Sequence, residues 1–115
     1  MRGTLLTAAV LLAVSTTATL SQQVPTVKEE SPGLQAKAKV PPAQALQIAL
    51  AKVPDGALQQ AEIEQEDGKL VYSFDIKVPG KSGSEEVVVD AMTGKVLSVE
   101  HESPEEEARE AKPKS

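Results

Sequence analysis

Apolar and polar residues alternate with a period of two along Leu58 to Glu100, through QAEIEQEDGKLVYSFDIKV and, after a glycine-bearing loop, through EEVVVDAMTGKVLSVE. That alternation is what a strand with one buried face requires. It predicts four strands in meander order. In the first, Ala61, Ile63 and Gln65 alternate against Glu62, Glu64 and Glu66. In the second, Leu70, Tyr72, Phe74, Ile76 and Val78 alternate against Val71, Ser73, Asp75 and Lys77. Val87 and Val89 point inward in the third against Glu86, Val88 and Asp90, and the fourth, Val96 to His101, turns Leu97 and Val99 inward. Asp67-Gly68 is the pair that a tight hairpin with positive φ prefers, Pro79 to Ser84 forms a loop, and Ala91-Met92-Thr93-Gly94 turns the chain into the last strand.

One helix precedes the strands. Leu46, Ala49, Leu50 and Val53 fall at i, i+3, i+4 and i+7 and share a face, Pro41 and Pro42 preset the helical start, and Pro54-Asp55-Gly56 ends it. Val40 stands where a capping side chain would be useful, so this helix is expected to form only when docked. The predicted fold class is α+β, with one N-terminal helix packed on one face of a four-stranded antiparallel meander sheet.

The flanks read differently. Met1-Arg2, the apolar run Leu5 to Val14 and the small polar Ser15 to Ser21 have the three-part pattern of a secretory signal peptide, so residues 1–21 are expected to be removed on export. The apolar run is shorter than the ~20 residues a stable membrane span needs. Residues 22–42 carry five of the prolines and glycines among lysines, alanines and glutamates and are expected to be a flexible linker. The folded domain is expected over residues 43–101. Residues 102–115 are expected to be a charged, disordered tail, although Ser103-Pro104 with Glu106 resembles a helix start and Glu105 and Arg109 are spaced as an i, i+4 pair.

Composition narrows the function. The net charge of −5 repels phosphate backbones, and an aromatic content of 2 %, Tyr72 and Phe74 alone, leaves no stacking platform, so nucleic acid is not an expected partner. With no cysteine there is no thiolate nucleophile and no disulfide; with His101 the sole histidine there is neither a triad nor a metal–histidine site. No phosphate-cradling glycine loop is present. No catalytic, cofactor or metal-ligand residue is assigned, and the chain is not expected to be an enzyme.

The helix, then EDGKLVYSFDI, then VVVDAMTGKVLSVE, resembles the PepSY domain, with its acidic strand, DGK turn, tyrosine-containing strand and closing D-x-x-TGKVL hairpin. The matching residues are Glu64, Glu66, Asp67, Gly68, Lys69, Tyr72, Asp90, Thr93, Gly94, Lys95, Val96 and Leu97, and the resemblance spans about Ala43 to Glu100. PepSY domains occur in propeptides of thermolysin-like metallopeptidases, in membrane-bound regulators and as small exported proteins. The resemblance implies a noncatalytic, exported binding module, periplasmic or secreted, that inhibits or regulates a peptidase or acts on another envelope protein. No peptidase follows in this chain, so inhibition is expected to act in trans.

Two features on the outer sheet face are candidates for the contact. Val71 and Val88 fall where alternation calls for polar residues, and would form an apolar spot there if the second and third strands pair. Glu62, Glu64 and Asp75 would rim it with carboxylates. The alternative reading is an acidic, calcium-type metal-binding envelope protein that uses Glu62, Glu64, Glu66 and Asp75, although no calcium loop with backbone-carbonyl ligands is recognisable.

Overall fold

The computed structural model describes Gly3 and residues 23–110; the expected signal peptide and the end of the tail lie outside the described residues. The elements run β1 (Lys28–Glu29), α1 (Leu34–Lys37), α2 (Pro42–Leu50), β2 (Ala57–Glu66), β3 (Lys69–Lys77), β4 (Ser84–Asp90), β5 (Val96–Glu102) and α3 (Pro104–Glu110). The sheet order is β1-β2-β3-β4-β5. Strands β2 to β5 form the expected antiparallel meander. β1 adds a fifth strand, parallel to β2, and makes the sheet mixed.

The hairpin chemistry is as expected. Asp67 and Gly68 both have positive φ, at 49° and 78°, which is the two-residue reversal that keeps the twist of β2 and β3 matched. Ala61, Ile63, Leu70, Tyr72, Phe74, Ile76, Val87 and Val89 lie in one buried cluster with Leu46 and Ala49. Ala45 joins them fully buried, a position the i, i+3, i+4 pattern had not singled out. α2 starts at Pro42 with no side-chain cap and spans nine residues, so its stability comes from docking on β3 and β4.

Three expectations are corrected. Most of the stretch 22–42 is not a tether: β1 and α1 lie within it, Leu34 is 4 % exposed and Val40 8 %, and both belong to the core. Two carboxylates within it act as fasteners. Glu30 Oε2 accepts from the Gln65 amide at 2.9 Å, Glu29 Oε2 accepts from the Gln35 amide at 3.0 Å, and the Glu30 amide donates to the Ile63 carbonyl at 3.0 Å. Proline and glycine content was a poor guide because two apolar side chains and a few backbone bonds suffice to dock a short segment on an existing sheet edge.

Leu97 and Val99 are not core. β5 is the edge strand, Leu97 sits in the irregularity of register between Val88 and Val89, and Val99, opposite Val87, is 45 % exposed because no helix reaches across it. The tail is not uniformly disordered either. Residue 102 still belongs to β5, and α3 follows with a reciprocal capping box in which Ser103 Oγ accepts from the Glu106 amide at 3.3 Å and the Ser103 amide donates to Glu106 Oε2 at 2.9 Å.

Candidate functional site

The register places alternate residues of four strands on the face away from α2. Glu62 lies opposite Ser73, Glu64 opposite Val71, Asp75 opposite Glu86, Glu86 opposite Glu100, and Glu102 opposite Ser84. α3 leaves the end of β5 and contributes to the same side, so that Pro104, Glu107, Ala108 and Glu110 close one wall of a groove of about 940 Å³ whose other walls include Glu62, Glu64, Asp75 and Glu86. Among the described residues of the lining, Lys28 is the cation. The one ion pair among the described residues, His101 Nδ1 to Glu85 Oε1 at 2.7 Å, lies on the inner face, and accounts for the single histidine without any chemistry.

Carboxyl crowding sets the electrostatics. Carboxylate oxygens of Asp75, Glu86 and Glu102 lie within 4.8 Å of one another. Burial, with the charge of Glu102 next in weight, pushes Asp75 up to about 6. Glu102 is pushed up to about 7, first by donating a hydrogen bond to Glu86 and then by burial. Glu110 is raised by burial and by the Glu102 charge, and donates in turn to Glu102. Glu64 is raised by burial and then by Glu66 and Glu62. Burial and mutual proximity therefore favour the protonated forms of Glu110, Glu102 and Glu86, with Asp75 beside them, and their titrations are coupled.

The structure brings Glu62, Glu64 and Asp75 together in the groove, as the alternation implied. It treats the valines differently. Val71 and Val88 do lie outside the main core cluster, on the outer face, but they are 1 % and 7 % exposed, so neither offers a partner an accessible apolar spot. Period-two counting assigns a face and says nothing of what neighbouring long side chains cover. Sequence reasoning also missed Glu86, Glu102, Glu107 and Glu110. Glu86 and Glu102 have the outward period and meet Asp75 through the pairing of β3, β4 and β5, whereas Glu107 and Glu110 join the groove only because α3 folds back beside the sheet.

The turns carry the remaining motif residues. Asp90 Oδ1 accepts from the amides of Met92 at 2.8 Å and Thr93 at 3.1 Å, Thr93 Oγ1 accepts from the Lys95 amide at 3.2 Å, and Gly94 takes φ 81°. The neighbouring Ala91 carbonyl accepts from the amides of both Lys39 and Val40, at 3.0 and 2.9 Å, which ties the lead-in of α2 to the β4–β5 turn.

Against known families, residues 39–100, more than half of the chain, match PepSY, described as the peptidase propeptide and YPEB domain. The chain belongs to the PepSY family. No curated protein and no solved structure matches it. The matched PepSY segment starts at the Ala91-bonded lead-in rather than at the helix, in keeping with the burial of Val40. In PepSY terms Asp90, Thr93 and Gly94 of the D-x-x-TGKVL motif are turn-builders, and Tyr72 is a buried tie between strand and lead-in, its hydroxyl donating to the Val40 carbonyl at 2.7 Å. The family match speaks for a peptidase-related module and lends no support to the calcium-type alternative. Among the described residues no helix is long and apolar enough to cross a membrane.

Proposed function

We propose that this chain is a noncatalytic PepSY binding module, exported by residues 1–21, that regulates a peptidase or another envelope protein in trans through its outer sheet face. The observation that carries the reading is the PepSY match over residues 39–100, a family named for peptidase propeptides. The groove that holds Glu62, Glu64 and Asp75 is the contact surface in this reading. Its charge selects a partner with a basic surface, and such complementarity acts on the rate of encounter and on choice of partner more than on raw affinity. A chain with one histidine and no cysteine, whose conspicuous turn residues are occupied in holding turns, is suited to binding rather than turnover.

The test is direct. The purified chain is added to the exported peptidase activities of its own source, and each activity it lowers is retested with Glu62→Gln/Glu64→Gln. Loss of inhibition in that variant, with its melting temperature unchanged, supports the groove as the contact. Inhibition undiminished by the variant moves the contact elsewhere on the module, and no effect on any peptidase together with no bound envelope protein ends the regulatory reading.

A further inference from the structure

α3 is held on the sheet by an unusual means. It spans seven residues with three acidic side chains in its first turn and no buried residue, so apolar packing does little to keep it in place. Its apolar contributions to the groove are Pro104 and Ala108. What meets across the seam is carboxyl against carboxyl. Asp75 Oδ1, Glu102 Oε2 and Glu107 Oε1 are each shielded from solvent and without a hydrogen-bond partner among the described residues. Buried, ionised carboxylates in that arrangement would repel one another, whereas protonated ones can hydrogen-bond.

We propose that α3 is a proton-latched strap: it lies across the outer face while Glu110 shares protons with the cluster of Asp75, Glu86 and Glu102, and swings off from the Ser103 end when that cluster ionises. The device is a property of the chain by itself and does not depend on any partner.

The surrounding charges favour this response. From β1 the groove receives Lys28, and from β2 it receives Glu62, Glu64 and Glu66. β3 presents Asp75 on this face, with Lys69 and Lys77 at its exposed ends. β4 adds Glu86 and Asp90, and β5 adds Glu100 and Glu102. On α3 itself stand Glu105, Glu106, Glu107, Arg109 and Glu110. Glu106 is engaged by the capping box, and Arg109 lines a second hollow beside Glu100 and Glu102 at the edge. Among the described residues, acidic groups outnumber cations on β2, β4 and β5 and over the face as a whole, though not on β1 or β3, so ionisation of the cluster adds repulsion that Lys28, Lys69 and Lys77 do not offset. Burial and mutual hydrogen bonding push the key carboxyls upward, with Asp75 at about 6 and Glu102 at about 7, which places the release between weakly acidic and weakly alkaline conditions. Release would widen the groove along Glu62 and Glu64.

The absence of cysteine makes the test clean. Lys69→Cys/Arg109→Cys places nitroxide labels on two exposed residues outside the cluster, one on β3 and one on the last turn of α3. The chain is purified from cells expressing the full sequence, and the inter-label distance is measured by pulsed electron resonance at pH 5 and pH 8. The expected result is a short, narrow distribution at pH 5 and a broad one at pH 8, longer by about 10 Å, the length of a seven-residue helix at ~1.5 Å per residue. Asp75→Asn/Glu102→Gln in the same labelled chain, which mimics the protonated cluster, is expected to remain short at pH 8. The same distribution at both pH values overturns the proposal. So does a pH-dependent lengthening that persists undiminished in the neutral variant, because the proton would then act elsewhere. The labelled parent chain decides the first question even if the neutral variant fails to fold.

Discussion

The hydroxyl of Tyr72 donates a 2.7 Å hydrogen bond to the carbonyl of Val40, joining the middle of β3 to the segment that leads into α2 across thirty-two residues of chain. Tyr72 is fully buried, its ring is stacked on Phe74 at 5.7 Å between centroids, and burial raises its hydroxyl above the ordinary value, which keeps it a donor. Replacing Tyr72 by Phe keeps the ring and removes the donor, leaving a buried carbonyl short of a partner. The expected loss is about 1–2 kcal/mol in urea unfolding, with little change in the far-ultraviolet spectrum. Tyr72→Ala, which also empties the ring volume, is expected to cost about 3–5 kcal/mol.

Leu34 lies outside the matched family segment, yet it is 4 % exposed and part of the core cluster. If the N-terminal segment docks as β1 and α1, then Leu34→Ala lowers stability by about 2–5 kcal/mol, the usual range for a buried leucine. A free tether would show no change. Thermal melts of the two chains decide it, and protection of the Gln65 amide from hydrogen exchange supplies a local check, because that amide donates to Glu30 Oε2 at 2.9 Å.

Local pattern revealed what local physics decides. The four meander strands, the Asp67-Gly68 hairpin, the docked helix and the Ser103–Glu106 cap all follow from period, turn chemistry and capping within a few residues. What it could not reveal are the long-range pairings. β1 is two residues long, and nothing in Lys28–Glu29 signals a strand until β2 offers its edge. The exposure of Val99 follows from the sheet being wider than α2 can cover; the carboxyl cluster follows from the pairing of β3, β4 and β5, and the place of Glu107 and Glu110 beside it from the return of α3. Glu62, Glu64 and Asp75 were legible as neighbours on the outer face because register follows from the hairpin. Their role with Glu107 and Glu110 was not.

Val71 and Val88 separate burial from alternation. Val71 lies between Glu64 on β2 and Asp90 on β4 and is 1 % exposed; Val88 lies between Ser73 and Ser98 and is 7 % exposed. An aspartate at 71 would put three carboxylates in one row across the strands, one of them buried. Val71→Asp is expected to cost of order 3 kcal/mol or more and to leave a molecule of this size largely unfolded at 37 °C. Val88→Asp, flanked by hydroxyls that can donate to it, is expected to cost less. Circular dichroism melts of the two variants rank them, and equal melting temperatures would contradict the burial assigned to Val71.

The carboxyl cluster also fixes how stability depends on pH. Asp75 and Glu102 sit above their ordinary values of 3.8 and 4.5, at about 6 and about 7, so the folded chain binds more protons than the unfolded chain between those limits. Stability therefore falls as pH rises across this window: the contribution of the two groups is fully present below about 4 and is lost as pH passes through 6 and 7. This is opposite to an acidic protein whose carboxylates are salt-bridged, where acid destabilises. The melting temperature is expected to drop from pH 5 to pH 8 at constant ionic strength, and Asp75→Asn/Glu102→Gln is expected to flatten that drop. High salt should soften it less than it would between exposed carboxylates, because the groups are partly buried and poorly screened. A melting temperature that rises over the same range would mean that these carboxyls are ionised and favourably paired in the folded chain, and would remove the physical basis for a strap held by shared protons.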